Sequence, residues 1–313
     1  MDFENNAAWI WIPISVFAAL MQAVRTAAQK SLNQHLSTLG TTYVRALFGL
    51  PFMALYLGAV LWQGGGGVPD MNAVFLGYTI AGSLAQVIAT ALLIYMFRLR
   101  NFAVGTMLTK ADILLTALVG VLFFSETLSP WGWSALLVVF SGVLVMLLGR
   151  LGPYARAAAD EGLAMLLFGR ATQVALACAL FFTFSFLFFR EATLRIGPGN
   201  FVWRGAWTVA LSLLLQTLLL GSWLWARQPG VFRQFGQHRA LVWFIGFTSA
   251  LGSIGWFTAF AMQNASYVRA VGQIEAVFTV AIAWLYFKEH ITRLELGGIV
   301  LTVIGVLMFR LVH

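Results

Sequence analysis

The chain has 313 residues, of which 60% are hydrophobic and only 10% are charged. Soluble domains carry about 25% charged residues, so the solvent for most of this chain must be lipid. The net charge of +8 does not indicate nucleic-acid binding, because the basic residues are scattered between apolar segments. The single cysteine, Cys178, excludes an internal disulfide and a cysteine-based zinc site. We therefore predict no metal, no cofactor and no soluble catalytic site.

Ten apolar segments follow one another along the chain, and each is long enough to cross a bilayer as a helix. They cover residues 9–34, 40–62, 72–97, 101–123, 130–149, 171–195, 200–226, 240–262, 264–287 and 293–311. The segments are too long for barrel strands, and a helix satisfies its own backbone hydrogen bonds in lipid. The predicted fold is an all-α integral membrane protein with ten transmembrane helices.

A polar stretch in the middle of the chain divides five segments from five. The predicted organisation is a first five-helix repeat in residues 1–150, a linker in 151–170 and a second five-helix repeat in 171–313. Because five is an odd number, a repeated second half must cross the membrane in the opposite sense. The sequence thus predicts two inverted five-helix repeats, related by an axis in the membrane plane.

Two acidic residues lie where the bilayer is driest. Asp112 is in the middle of the fourth segment and Glu275 in the middle of the ninth, and they coincide when 101–149 is aligned with 264–312 without a gap. The same register pairs further polar residues: Asn101 with Asn264, and Glu126 with Glu289. An ionisable group at membrane depth is costly, so the duplicated acids predict a functional site between the halves. The alternative is a structural ion pair that joins two helices.

Basic residues near the acids are the next candidates for substrate binding or coupling. Lys110 is two residues from Asp112 and points about 200° away around the helix, so we expect its acidic partner on another helix or on the substrate. Arg269 lies in the ninth segment, where snorkelling toward the headgroups is the alternative. Arg25 shares a stripe with Gln22 in the first segment, and it either faces a cavity or anchors a helix end.

Four further residues complete the set of candidates. Arg45 and Arg204 occupy matching places in the second and seventh segments, although each is also compatible with headgroup snorkelling. Trp203 and Tyr267 are placed to contact a ligand, with core packing as the alternative. No candidate metal ligand or catalytic residue accompanies them.

Each half closes with a similar motif, in which a turn carrying Glu and an aliphatic residue precedes a helix ending in Gly-Val-Leu. The turns are Ser125-Glu126-Thr127-Leu128 and Lys288-Glu289-His290-Ile291, and the helix endings are Gly142-Val143-Leu144 and Gly305-Val306-Leu307. In these motifs the chain resembles the drug/metabolite transporter superfamily, in its EamA-like ten-helix branch. The resemblance covers nearly the whole chain. It implies a small-molecule transporter, often an exporter, with a cavity between the halves.

The first functional hypothesis is a secondary transporter, not an enzyme, that exports a small polar organic molecule by alternating access. A net-basic site favours an amino acid or an anionic or zwitterionic metabolite, and Asp112 and Glu275 are candidates to carry a coupling proton. The second hypothesis is a membrane protein that acts on or flips a lipid-linked substrate. The expected partners are the small-molecule substrate, the lipid bilayer and protons, without nucleic acid. An oligomer is compatible with the sequence but is not required.

The expected location is a multi-pass position in a bacterial inner (cytoplasmic) membrane. Most Lys and Arg residues in the loops follow the odd-numbered segments, which predicts cytoplasmic odd-numbered loops and both termini outside. The resemblance implies the opposite, because many ten-helix members keep both termini inside. The sequence therefore leaves the sidedness open.

Overall fold

The computed structural model describes residues 9–63, 66–96, 99, 109–160, 169–288 and 290–311, and in these ranges the chain is helical with no strand. The helices are α1 Trp11–Leu32, α2 Thr38–Leu47, α3 Leu50–Trp62, α4 Ala73–Met96, α5 Asp112–Phe123, α6 Pro130–Asp160, α7 Arg170–Arg195, α8 Phe201–Arg227, α9 Val231–Gln237, α10 Arg239–Met262, α11 Ala265–Gly272, α12 Glu275–Phe287 and α13 Arg293–Met308, followed by a 3₁₀ turn at Phe309–Leu311. Asn101 and Glu289 lie outside the described residues, so their predicted register with Asn264 and Glu126 is not tested.

Nine helical spans in the described ranges are long and apolar enough to cross a membrane. They correspond to nine of the ten predicted segments. The fourth predicted segment is represented by α5, a shorter apolar helix of 12 residues, because residues 101–108 lie outside the description. The helix of the fifth predicted segment, α6, continues to Asp160, beyond the end predicted at residue 149. The all-helical membrane fold is confirmed, whereas the count of ten spans is not.

Two of the predicted continuous helices are interrupted. The second span consists of α2 and α3, which meet at Phe48 and Gly49, and the ninth consists of α11 and α12, which meet at Gln273 and Ile274. Beside the first break, a Cβ on Gly246 of α10 would lie only 2.4 Å from the Phe48 carbonyl carbon. Glycine at position 246 thus lets α10 approach the backbone of the second span at the break.

The helix contacts repeat between the two halves. The most extensive pairings join α4 with α7, α6 with α13, and α1 with α10. In the order of the segments, α1 corresponds to α7, α4 to α10 and α6 to α13. When each helix is replaced by its counterpart in the other half, the α4–α7 contact becomes the α1–α10 contact, and the α6–α13 contact is unchanged. The contact of α5 with α7 likewise corresponds to the contacts of α11 and α12 with α1. The packing therefore supports a two-repeat architecture in which the two halves interleave.

Small residues bring the closing helices of the two halves together. A Cβ on Gly298 of α13 would lie 2.5 Å from the Met146 backbone nitrogen of α6, and a Cβ on Gly142 would lie 2.5 Å from the Thr302 nitrogen. These distances are too short for any side chain, so the two helices pack backbone against backbone. The glycine-rich motifs that end each half therefore form a helix crossing at the junction of the repeats.

Candidate functional site

The two central acids occupy equivalent positions at the start of a helix. Asp112 is the first residue of α5 and Glu275 the first residue of α12. The residues before each acid form the same tight turn, with an i→i+3 hydrogen bond from Ile113 N to Lys110 O at 3.3 Å and from Ala276 N to Gln273 O at 2.9 Å. Each carboxylate thus lies at the N-terminal end of a helix, where the helix dipole is positive. The duplication predicted from the sequence extends to the local backbone.

Each acid pairs with a cation from the other half of the chain. The Arg269 Nη2 donates to Asp112 Oδ2 at 2.6 Å, and both side chains are only 4% exposed. The Lys110 Nζ lies 3.9 Å from Glu275 Oε2, and these side chains are 16% and 11% exposed. Lys110 therefore has the acidic partner on another helix that the sequence predicted. The two ion pairs connect α11 and α12 with the residues at the start of α5. The Asp112–Arg269 pair is shorter and more buried than the Lys110–Glu275 pair.

Helix α1 adds a polar group to the looser pair. The Gln22 Nε2 donates to Glu275 Oε2 at 2.8 Å, while Gln22 Oε1 accepts from Trp256 Nε1 at 3.0 Å. Trp256 packs across Gly272, where a Cβ would lie 2.3 Å from the indole ring. The Gln22 side chain thus links α1, α10 and α12 at the level of the acid.

The Arg269 guanidinium is sandwiched between aromatic rings. Its Cζ lies 4.1 Å from the Phe186 ring centroid and 5.2 Å from that of Trp256, at distances suited to cation–π attraction. Arg269 is 3% exposed, so the snorkelling alternative does not hold for it. The Gln273 Nε2 also faces Asp112, at 3.4 Å from Oδ1. Polar atoms without a partner remain here: Arg269 Nε, Arg269 Nη1 and Gln273 Oε1.

Arg25 and Arg45 continue the basic character of the site. Arg25 is 6% exposed and interacts electrostatically with Glu275, and its Nε has no hydrogen-bond partner. Arg45 is 3% exposed and donates through Nη2 to Gln216 Oε1, while Gln216 Nε2 donates to Ser212 Oγ at 2.7 Å. Because Arg45 is buried against α8, it does not snorkel. We call Arg25, Arg45, Lys110, Asp112, Arg269 and Glu275 the central charge cluster.

Three of the candidate residues lie away from this cluster. Arg204 Nη2 donates to the Ala261 carbonyl oxygen at 3.2 Å, at the end of α10. Trp203 Nε1 donates to the Gly67 carbonyl oxygen at 3.1 Å and lines a cavity of about 510 Å³ beside the 66–70 and 196–200 loops. Tyr267 is buried, and its hydroxyl accepts from Ser129 N at 2.9 Å. These three bonds go to backbone groups rather than to the central acids, and the predicted contact of these residues with a substrate stays a prediction.

A second charged network, which the sequence did not single out as a site, closes one end of the helices. The Glu126 carboxylate caps α11: Oε1 accepts from Ala265 N at 2.6 Å, and Oε2 accepts from Ser266 N at 3.2 Å. Arg190 Nε lies 3.3 Å from Glu126 Oε1, and Arg190 Nη2 donates to Asn264 Oδ1 at 2.8 Å. This Glu126–Arg190–Asn264 network joins the 124–129 turn, α7 and the start of α11. Its signals in the sequence were the registers of Glu126 with Glu289 and of Asn264 with Asn101, together with a register that places Lys30 opposite Arg190 when one gap is allowed.

The arrangement of the cluster is suited to the recognition of charged groups. Two carboxylates and several guanidinium and amide groups converge in a mostly buried layer, where charges interact more strongly than in water. In the part of the chain that the structure describes, no group of three or more His, Cys, Asp or Glu side chains is arranged to hold a metal ion.

Comparison with known proteins identifies the family of this chain. The model of the EamA-like transporter family matches residues 9–148 and again residues 170–311. A solved structure described only as "Crystal structure of protein" is similar in fold, with a TM-score of 0.71 at 17% sequence identity, over 96% of each chain. No curated protein matches the sequence. Because the family model covers both halves and nearly all of the chain, this protein belongs to the EamA-like transporter family.

Proposed function

We propose that the protein is a secondary transporter of a small polar organic molecule, an amino acid or an anionic or zwitterionic metabolite, and that it works by alternating access. The observation that carries the proposal is the pair of crossed ion pairs at the duplicated helix breaks, Arg269 with Asp112 and Lys110 with Glu275. Each pair joins one repeat to the other, so a change in either pair is felt by both halves. Membership of a transporter family favours this function over action on a lipid-linked substrate.

The two pairs have different roles in the proposed cycle. The Asp112–Arg269 pair is short and almost fully buried, which suits a fixed joint between the halves. The Lys110–Glu275 pair is longer and more exposed, so Glu275 is the better candidate for a coupling proton. Protonation of Glu275 removes its attraction for Lys110 and leaves the Gln22 contact as a neutral hydrogen bond. The proton thereby weakens one of the two links between the repeats.

The Glu126–Arg190–Asn264 network represents the closed side of the transporter in this proposal. It holds together the 124–129 turn, the end of α7 and the start of α11 through charge-assisted hydrogen bonds. By the loop charges this is the extracytoplasmic side, so the described state is closed to the outside. Opening on this side requires the network to separate. Export across a bacterial inner membrane is the direction that we propose.

The proposed function is tested by reconstituting the purified protein in liposomes loaded with pooled metabolites and measuring their release. We expect the wild type to release a small charged or zwitterionic molecule, with a rate that depends on the pH difference across the membrane. Glu275→Gln is expected to abolish the dependence on pH. Arg227→Gln, at the exposed end of α8, is the matched control and should transport normally. Release of lipid-linked molecules alone, or of nothing, would overturn the proposal.

A further inference from the structure

Arg25 is a buried cation whose Nε atom has no hydrogen-bond acceptor among the described residues. Its side chain is 6% exposed and lies in the second half of α1. Glu275 attracts it electrostatically, but that carboxylate already accepts from Gln22 and faces Lys110. Leaving a charged donor unpaired in a protein interior is costly, so a partner from outside the chain is expected.

The neighbours on α1 fix the place of this guanidinium. Gln22, three residues earlier, contacts Glu275 of α12, and Gln29, four residues later, donates to the Thr41 carbonyl oxygen of α2 at 3.3 Å. Residues at this spacing share one face of a helix, so Arg25 lies between α12 and α2. Arg45 is one turn beyond Thr41 on α2 and is close enough to Arg25 for electrostatic repulsion. Two guanidinium groups therefore lie near each other at this face of α1.

The charge balance of the cluster is basic. Among the described residues, the central charge cluster contains four basic side chains, Arg25, Arg45, Lys110 and Arg269, and two acidic ones, Asp112 and Glu275. Asp112 forms an ion pair with Arg269. Glu275 forms an ion pair with Lys110 and accepts a hydrogen bond from Gln22. The hydrogen bond of Arg45 within the described residues goes to the neutral amide of Gln216. The two positive charges in excess are those of Arg25 and Arg45.

The charge of Arg25 is present in one half only. The register that aligns Arg45 with Arg204 and Lys30 with Arg190 brings Arg25 to Phe184 or Ser185 in α7. The second half thus has no charged counterpart of Arg25. A role in joining the repeats would be served from both halves, as it is for the central acids. An unmatched, unpaired arginine is better explained by a ligand that breaks the symmetry.

We propose that Arg25 and Arg45 form the anion subsite of the transporter, and that its substrate is a small organic dianion, either a dicarboxylate or a phosphate monoester. The inference rests on the proposed transport function and narrows its substrate class. A zwitterion fits less well, because its ammonium group needs a free carboxylate and both central acids are already paired. Guanidinium groups bind carboxylate and phosphate oxygens through paired hydrogen bonds, which the open Nε of Arg25 can supply.

The test measures thermal unfolding of the full-length protein in detergent, at constant ionic strength, with four probes. Succinate and glycerol phosphate are the dianions, alanine is the zwitterion and choline is the cation. A dianion at 100-fold excess over its Kd is expected to raise the Tm by roughly 5 °C, whereas alanine and choline leave it unchanged. The response to succinate against glycerol phosphate then distinguishes a dicarboxylate site from a phosphate site.

Variants decide whether Arg25 is the ligand's partner. Arg25→Gln should remove the dianion response and leave the ligand-free Tm equal to or above that of the wild type, because an unpaired buried charge is gone. Arg25→Lys should restore part of the response, and Arg227→Gln should keep all of it. A clearly lower ligand-free Tm for Arg25→Gln would mean that Arg25 is a structural partner of Glu275, and this would overturn the proposal.

The proposal and the transport function fail in different ways. Stabilisation by a dianion without its transport in liposomes would leave the subsite standing and remove the transporter. Transport of alanine or choline, with no stabilisation by either dianion, would leave the transporter standing and overturn the subsite.

Discussion

Asp112→Asn is expected to destabilise the protein far more than Glu275→Gln, although the two acids are related by the internal repeat. Asp112 lies 2.6 Å from Arg269, and both side chains are 4% exposed. Removing one partner of such a pair leaves a buried uncompensated charge and costs about 3–5 kcal/mol. Glu275 is 3.9 Å from Lys110 in a more exposed pair, and Gln at this position can still accept from Gln22. That change should therefore cost clearly less than Asp112→Asn, because the lost ion pair is longer and less buried.

The measurement is the free energy of unfolding in detergent, followed by tryptophan fluorescence during titration with a denaturing detergent. Asp112→Asn is compared with Glu275→Gln, and the double variant Asp112→Asn with Arg269→Gln is the control. Because the double variant removes both charges, it should recover most of the stability that Asp112→Asn loses. Equal losses in the two single variants would refute the reasoning, because they would show that pair distance and burial do not set the cost. A double variant no more stable than Asp112→Asn would contradict it as well.

Three further predictions follow from other parts of the structure. Glu126→Gln should weaken the contact with Arg190 and the cap of α11. A maleimide reagent added outside should then label a cysteine placed at Ser266 faster than in the wild-type background. An unchanged labelling rate would show that the network does not close this side. Gly298→Ala should lower the yield of folded protein and its Tm, because a Cβ there would lie 2.5 Å from the α6 backbone. Gly297→Ala is the control and should be neutral, because a Cβ at that position has no atom within 4 Å. Equal effects of the two changes would contradict the close backbone contact of α6 and α13. A C-terminal fluorescent reporter active only in the cytoplasm should remain dark, as the loop charges predict, and bright cells with intact protein would reverse the sidedness.

The sequence by itself determined the class of protein and the location of its rarest residues. A composition with 10% charged residues excludes a soluble fold, and long apolar segments allow only helices in lipid. The equivalent positions of Asp112 and Glu275 could be read from the spacing of the polar residues alone, because a charge inside a membrane stands out against an apolar background. The expectation that Lys110 pairs with an acid on another helix followed from helical geometry, since Asp112 points to the opposite side.

The tertiary structure decided which charged side chains form ion pairs with each other. Partner choice depends on how α1, α10 and α11 approach the two breaks, and no local pattern encodes these distances. Only the structure shows that Trp203 and Tyr267, predicted as ligand contacts, bond to backbone groups of Gly67 and Ser129 instead of joining the central charge cluster, and their contact with a ligand stays a prediction. The break in the second span had a local signal that the segment assignment did not use, because Gly49 and Pro51 lie at the start of α3. The break in the ninth span carries no proline, and Gln273 and Glu275 beside it were assigned to one continuous helix. Only three-dimensional packing shows that the two acids begin new helices and that, among the described residues, no acceptor meets the Nε of Arg25.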